Sequence, residues 1–449
     1  MMQNKNNSYQ PLALISLITT DLAAITRGRG LPSNTLDSYL KRGCGWVPAN
    51  SSLTPQDLIP DNNPWGSHGD LRLMPDLKSR VKVAHMPDAT SPALEFIHCN
   101  LIETDGTPWR SCTRTLLANE IAYYKDKLNL NVYSAFEHEF NFKTLPQSHA
   151  IRSFSLQSQR IVGDFGNWVL DALMQAGADP EMFLPEYGKN QYEVTCKPTF
   201  GLASADRAIN IREIVRDIAR QMQLNVSFSP KTTPDSVSSG VHWHISLQDN
   251  DGHPVLYDEH CDNNLSQLGQ HWAAGVLRYL PALCALTAPT PVSYLRLQPH
   301  HWSAAYACLG FRNREAALRI CPVTTFAGSS PAKQYNLEFR PMDATANPYL
   351  AVAGILMAGR LGIEQKLPLT ACLDIDPEQL TQAERDHLGI RRLPSSLREA
   401  LDLFKSETEL VSCFPQPLLD TYFGMKEYEL ELTADLDDEQ LCQSYSEIY

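Results

Sequence analysis

The chain has 449 residues, 43% apolar and 20% charged, which fits a folded protein with a large core and excludes a disordered one. Its 38 Lys and Arg against 51 Asp and Glu leave a net charge of −13, so no basic excess is available to neutralise phosphates, arguing against a general nucleic-acid binder. Eleven cysteines with no CxxC pair and no regular spacing argue against a disulfide scaffold or structural zinc, and favour a reducing, cytoplasmic compartment.

In chain order, the first ten residues are polar and are expected to be disordered. The mostly apolar run 12–18 is too short to span a bilayer, and with Asp21 close behind it reads as a buried strand rather than a signal segment. Residues 12–25 are expected to form a strand followed by a turn at Arg27-Gly28-Arg29-Gly30. The stretch 47–70, rich in Pro, Asn, Asp, Ser and Gly, reads as loop. Strands follow at 70–75 and 93–102, with a turn at Asp105-Gly106. From Thr113 the texture becomes helical, over 116–128, 163–176 and 205–222, where Ile209, Ile214, Ile218 and Met222 recur on one side. Ser396 followed by Glu399 predicts a capping box opening a helix. The fold class is therefore α+β, a strand-rich domain over 1–110 and a larger catalytic domain over 111–449.

Four short segments carry polar or ionisable residues two apart, which a strand points to one face. These are Glu137 and Glu139; Gln191 and Glu193; His242, His244 and Ser246; and Glu338 and Arg340. Taken singly, each is most simply a strand with a solvated face. Taken together they are carboxylate, imidazole and guanidinium rather than the Lys, Thr and Ser of an ordinary wet surface. If the four strands adjoin, their carboxylates repel one another unless cations neutralise them, and an oxygen-rich set suits Mg²⁺ or Mn²⁺ better than zinc. Arg312, Arg314 and Arg319 fall within eight residues, either a surface ion-pair network or a clamp for phosphate oxygens. Cations with arginines describe a phosphoryl-transfer site, and no P-loop or GxGxxG sequence is present.

The order Glu-x-Glu, Glu-x6-Glu, His-x-His, Arg, Arg-x-Arg-x4-Arg, Glu-x-Arg resembles the glutamine synthetase superfamily. So do Asp21 with Arg27-Gly28-Arg29, Leu73-Met-Pro-Asp76 and Ala346-Asn-Pro-Tyr-Leu350. The resemblance implies a β-grasp N-terminal domain and a curved antiparallel sheet forming a funnel for two divalent cations, Mg²⁺ or Mn²⁺, with ATP as co-substrate. It places Glu137, His242 and Glu338 on the nucleotide-side metal, and Glu139, Glu186 and Glu193 on the amino-acid-side metal. Arg296 and Arg340 would grip glutamate. Arg314 and Arg319 would neutralise ATP phosphates, with His244, Ser246 and Lys333 nearby. Arg314, Arg319 and Glu338 are thus the expected catalytic residues. A homo-oligomeric ring is implied, with Asp61 or Asp70 reaching a neighbouring site; nucleic acid and membrane are not expected partners.

Several positions depart from the family pattern. Ammonia-using members carry Glu six residues after the arginine matching Arg296, where this chain has Trp302. An indole removes an anionic ammonium ligand and offers an apolar or cation–π surface, which favours an organic amine. The Asn-Gly pair before His-x-His is Val237-Ser238, and the Arg preceding Glu-x-Arg is Asn336. The loop 389–394 contains no Tyr to be adenylylated. The expected activity is ATP-dependent joining of glutamate's γ-carboxylate to an amine, as in the γ-glutamyl-amine ligases. A glutamine synthetase using ammonia and a non-catalytic relative are the alternatives.

Overall fold

The structure is a computed structural model that describes residues 12–61, 63–66, 68–88, 90–145, 152–299 and 304–449. The N-terminal ten residues and Trp302 lie outside the described residues. Two sheets organise the chain. The first has six strands: β1 (Leu14–Thr20), β2 (Thr26–Pro32), β3 (Cys44–Trp46), β4 (Leu71–Pro75), β5 (Val81–Val83) and β6 (Leu94–Glu103). Their order is β2-β1-β6-β4-β3, with β5 also on β6. The apolar run of β1 is explained by burial on both faces. Ile15 and Leu17 enter the small core of this sheet while Ile18 enters the main core of the molecule.

The expected turn at Arg27–Gly30 is corrected by the structure: those residues belong to β2, paired from Leu14↔Pro32 to Thr20↔Thr26. The reversal lies at Asp21, whose carboxylate accepts the N–H groups of Ala23 and Ile25 at 2.9 and 2.8 Å. Gly28 is needed for closeness rather than for turning, since a Cβ there would overlap Leu17 O.

The second sheet has eleven strands: β7 (Asn131–Thr144), β8 (Pro180–Pro185), β9 (Gln191–Cys196), β10 (Thr199–Phe200), β11 (Asn225–Ser227), β12 (Val241–Gln248), β13 (Tyr306–Phe311), β14 (Ala316–Ile320), β15 (Leu337–Phe339), β16 (Cys372–Leu373) and β17 (Arg391–Arg392). The main path runs β16-β13-β14-β15-β12-β7-β9-β8. The helices expected from periodicity are present as Thr113–Leu128, Gly163–Gln175 and Leu202–Gln221. Ser396 caps Leu397–Ser406, but the capping box is half formed, because Glu399 reaches back to Ser395 N at 2.8 Å instead of Ser396 N.

The joint between the sheets uses residues of the non-catalytic signatures. Asn347 caps the helix Pro348–Gln365 and donates to Asp21 O at 2.8 Å. Arg114 bridges Asp76 and Asp206 at 2.9 and 2.8 Å, and Tyr349 donates to Asp206 at 2.6 Å. These motifs therefore fix how the two halves sit together. All eleven cysteines are free thiols. Among the described residues, no helix is long and apolar enough to cross a membrane.

Candidate active site

The four polar-faced strands adjoin in the order β15-β12-β7-β9. Register then places His244 opposite Glu338, His242 opposite Glu137, and Glu139 opposite Glu193, while Arg319 on β14 stands opposite Glu338. The alternating residues Phe136, Phe140, Trp243, Ile245, Leu337 and Phe339 are buried in the main core behind this face. The apolar backing holds the strands together and leaves their polar face for chemistry.

Glu137 is the centre of the cluster. Its Oε1 is 3.2 Å from His244 Nε2, and its Oε2 is 3.6 Å from His242 Nδ1, which lies 3.5 Å from Glu338 Oε1. Glu137, His244 and Glu338 each place a donor atom within 4.8 Å of the other two, and so do Glu137, Glu193 and His242. A carboxylate-rich set of this kind fits a hard divalent cation. Glu338 is buried between two guanidinium groups, Arg319 on Oε2 and Arg340 on Oε1. Glu139 accepts from Gly240 N at 2.7 Å and from Gln191 Nε2 at 3.4 Å.

The electrostatics divide the cluster. Burial would raise Glu137 and Glu338, but neighbouring cations outweigh it. His244 and His242 hold Glu137 well below the ordinary carboxylate range, and Arg340, His244, His242 and Arg319 bring Glu338 to about 2. On the other side, burial and the Glu186 charge raise Glu139 to about 7. Burial and the charges of Glu137, Glu139 and Glu186 push Glu193 well above the usual value. Burial and Arg340 lower His242 to about 4, whereas for His244 the Glu137 charge outweighs burial and raises it well above normal. The Glu139–Glu193 side is thus the less internally compensated: its crowded carboxyls hold protons more readily, and a cation bound there would offset their repulsion.

The remaining expected residues are distributed as follows. Glu186 is half-buried at the rim, its Oε2 accepting from Tyr187 N at 3.2 Å. Arg296 is fully buried and donates to Pro341 O and Arg340 O at 2.8 and 2.9 Å. Arg340 also donates to Arg314 O at 3.1 Å. Arg319 is buried in the cluster, whereas Arg312 and Arg314 are exposed, with the Arg314 charge acting on Glu186. Ser246 is buried two residues beyond His244 on β12. Lys333 is exposed on the short helix Pro331–Gln334, with no ion pair to the cluster among the described residues. Asp61 and Asp70 are both exposed in the loop before β4.

Two contributors escape the pattern of polar pairs. Cys321 lies 3.7 Å from His244 Nδ1 and 3.8 Å from Glu338 Oε2; its position two residues after Arg319 was the available signal. Gly240 permits Arg296 to pass, because a Cβ there would overlap Arg296 Nη2 and lie 3.3 Å from His242 Nε2.

Comparison with known proteins agrees with this architecture. Residues 110–443 match the glutamine synthetase catalytic domain and residues 2–109 the glutamine synthetase N-terminal domain. The gamma-glutamylpolyamine synthetase of Streptomyces coelicolor is 31% identical over 439 residues, 96% of this chain and 92% of that protein. A glutamine synthetase of Thermococcus kodakarensis is 37% identical over 231 residues, 51% of this chain and 50% of its own. A crystal structure described as a novel glutamine synthase homolog superposes with a TM-score of 0.92 at 58% identity, covering 99% of this chain and 100% of the other. The ADP complex of GmaS shares the fold, with a TM-score of 0.81 at 21% identity and 95% coverage of both chains. The chain belongs to the glutamine synthetase family, whose members typically bind ATP and divalent metals.

Proposed function

We propose that the chain is an ATP-dependent ligase that joins the γ-carboxylate of glutamate to an organic amine, with a polyamine as the favoured class. The observation that carries the ligase reading is the convergence of Glu137, Glu193, Glu338, His242, His244, Arg319 and Arg340 on one sheet face. The preference for an organic amine is supported by the full-length likeness to a gamma-glutamylpolyamine synthetase and by Trp302 at the position of the ammonium-binding glutamate.

In this reading Glu137, His242 and Glu338 hold one Mg²⁺ or Mn²⁺, and Glu139, Glu186 and Glu193 the second. Bound cations would offset the negative charge that keeps ATP and glutamate apart. Arg314 and Arg319, with His244, Ser246 and Lys333, face the phosphate oxygens; Arg296 and Arg340 orient glutamate. A γ-carboxylate oxygen attacks the γ-phosphorus, ADP leaves, and an acyl phosphate replaces a carboxylate that has no competent leaving group. A neutral amine then attacks the acyl carbon, loses a proton and expels phosphate. Buried Arg319 and Arg340 suit a site that must exclude water from this intermediate. The eleven free thiols support a cytoplasmic location. A ring-shaped homo-oligomer, with Asp61 or Asp70 completing a neighbour's site, is part of the same proposal.

The test is phosphate release from Mg²⁺-ATP and glutamate across ammonia and a panel of amines, with products identified by mass spectrometry. The expected result is amine-dependent release with a γ-glutamyl adduct. Turnover with ammonia in preference to every amine would assign the chain to glutamine synthesis instead.

A further inference from the structure

A cavity of about 230 Å³ lies beside β13, between the helix Gln267–Thr287 and the segments 367–373 and 388–391, and shares no lining residue with the polar face of the sheet. Its interior is apolar, formed by Leu277, Leu309, Leu367, Leu373, Leu388 and Ile390. The two charged residues of its lining, Arg278 and Arg391, are both exposed and so mark its mouth. The fold holds that mouth in place. Pro281 sits inside the helix without an N–H, so Leu277 O, four residues earlier, loses its helical donor. Arg391 Nη2 donates to that carbonyl at 3.3 Å and also to Arg278 O, which fixes the Arg391 guanidinium against the helix. Arg278 pairs with Glu407 at 3.0 Å, whereas Arg391 makes no ion pair among the described residues. One carboxylate thus serves two guanidinium groups at the rim of an apolar cavity. The complement of such a cavity is a small molecule with an apolar body and one anionic end.

We propose that this cavity binds a small amphiphilic monocarboxylate, with its hydrocarbon tail among the leucines and Ile390 and its carboxylate on Arg391. An apolar cavity of about 150 Å³ accommodates benzene, so by proportion this one takes about nine non-hydrogen atoms, close to a saturated chain of about eight carbons. A single unpaired guanidinium balances one negative charge, which favours a carboxylate over a phosphate dianion. The site stands apart from the ligase reading, because none of its residues is assigned to ATP, glutamate, the cations or the amine. Its success or failure therefore leaves that reading untouched.

The experiment is isothermal titration calorimetry of octanoate into the full-length protein, with and without Mg²⁺-ADP and glutamate. Saturable binding of one octanoate per chain is expected under both conditions. Affinity should rise about 4-fold for each CH₂ added from butanoate to octanoate, and stop rising once the chain outgrows the cavity. The uncharged 1-octanol should bind about 10-fold or more weakly than octanoate. Ala371→Phe fills the cavity from the loop that walls it, and Arg391→Gln removes the charge at its mouth. Each should weaken octanoate about 10-fold or more, and Arg391→Gln should also close the gap between octanoate and 1-octanol, which a loss of packing alone would not do. Thermal unfolding shows whether each variant is folded, and the chain-length and alcohol series on the unaltered protein remain decisive if one is not. Absence of saturable octanoate binding, equal affinity for octanoate and 1-octanol, or unchanged binding by folded Ala371→Phe would overturn the proposal. Binding seen only without Mg²⁺-ADP and glutamate would place octanoate on the polar face and overturn it as well.

Discussion

Arg319 and Glu338 face each other across β14 and β15, and Arg319 Nε donates to Glu338 Oε2. Arg340 takes the other oxygen, so two guanidinium groups compensate this carboxylate. Glu338→Gln removes the charge that both arginines neutralise. Phosphate release is expected to fall at least about 100-fold, the scale of losing a principal electrostatic group. Breaking a buried pair costs about 3–5 kcal/mol, so unfolding shifts while the native spectrum persists below the transition. Circular dichroism and phosphate release on the same preparation check both parts; retained activity would reject Glu338 as a metal ligand.

Gly240 controls the position of Arg296. A methyl group there would overlap Arg296 Nη2, and the guanidinium is held by two backbone carbonyls, Nη1 on Pro341 O and Nη2 on Arg340 O, so it cannot swing away freely. Gly240→Ala should therefore raise the KM for glutamate about 10-fold or more, while leaving that for ATP nearly unchanged, because a misplaced positioning group costs binding geometry. Initial-rate kinetics with each substrate varied in turn would separate the two.

On the proposed reading, Trp302 sets the acceptor preference. Trp302→Glu restores an anion able to receive ammonium, and should move the ratio of ammonia to organic-amine turnover towards ammonia by about 10-fold, a little over 1 kcal/mol. Competition between ammonia and the preferred amine, with both products quantified, gives this ratio directly. An unchanged ratio would remove Trp302 from the acceptor pocket.

His138 provides a pH prediction independent of the polar face. It points into the aromatic core near Phe136 and Phe228, and burial with the nearby Arg212 lowers it to about 3. A folded value below the unfolded value of about 6.5 means the unfolded chain takes up the proton first. Its stabilising contribution is complete above pH 6.5 and is lost as pH falls towards 3. Within that window one proton costs up to about 1.4 kcal/mol per pH unit. His138→Leu should flatten the fall in unfolding free energy between pH 6 and 4 by about that slope, measured by denaturant titration at each pH.

The polar face was legible because alternation is a property of the strand itself. Glu137, Glu139, Glu193, His242, His244 and Glu338 declare their sides by spacing alone, and the family resemblance supplied their order in space. The Arg27–Gly30 segment was misread because glycine serves close approach in β2 as readily as it serves a turn, while the reversal is made by the Asp21 carboxylate. The Ser396 box is half formed because Glu399 reaches one residue too far back. Cys321, Gly240 and the Asn336–His244 contact depend on which loops meet across β12, β14 and β15, and single-sequence periodicity does not encode that meeting.

The most direct measurement is oxygen transfer from glutamate to phosphate. Glutamate labelled with ¹⁸O in its γ-carboxylate is turned over with Mg²⁺-ATP and the preferred amine, and the released phosphate is analysed by mass spectrometry. If a γ-glutamyl phosphate forms, the amine expels a phosphate that retains the former carboxylate oxygen, so one ¹⁸O should appear in each phosphate released. Phosphate free of ¹⁸O, accompanied by a γ-glutamyl product, would contradict activation of glutamate by phosphoryl transfer.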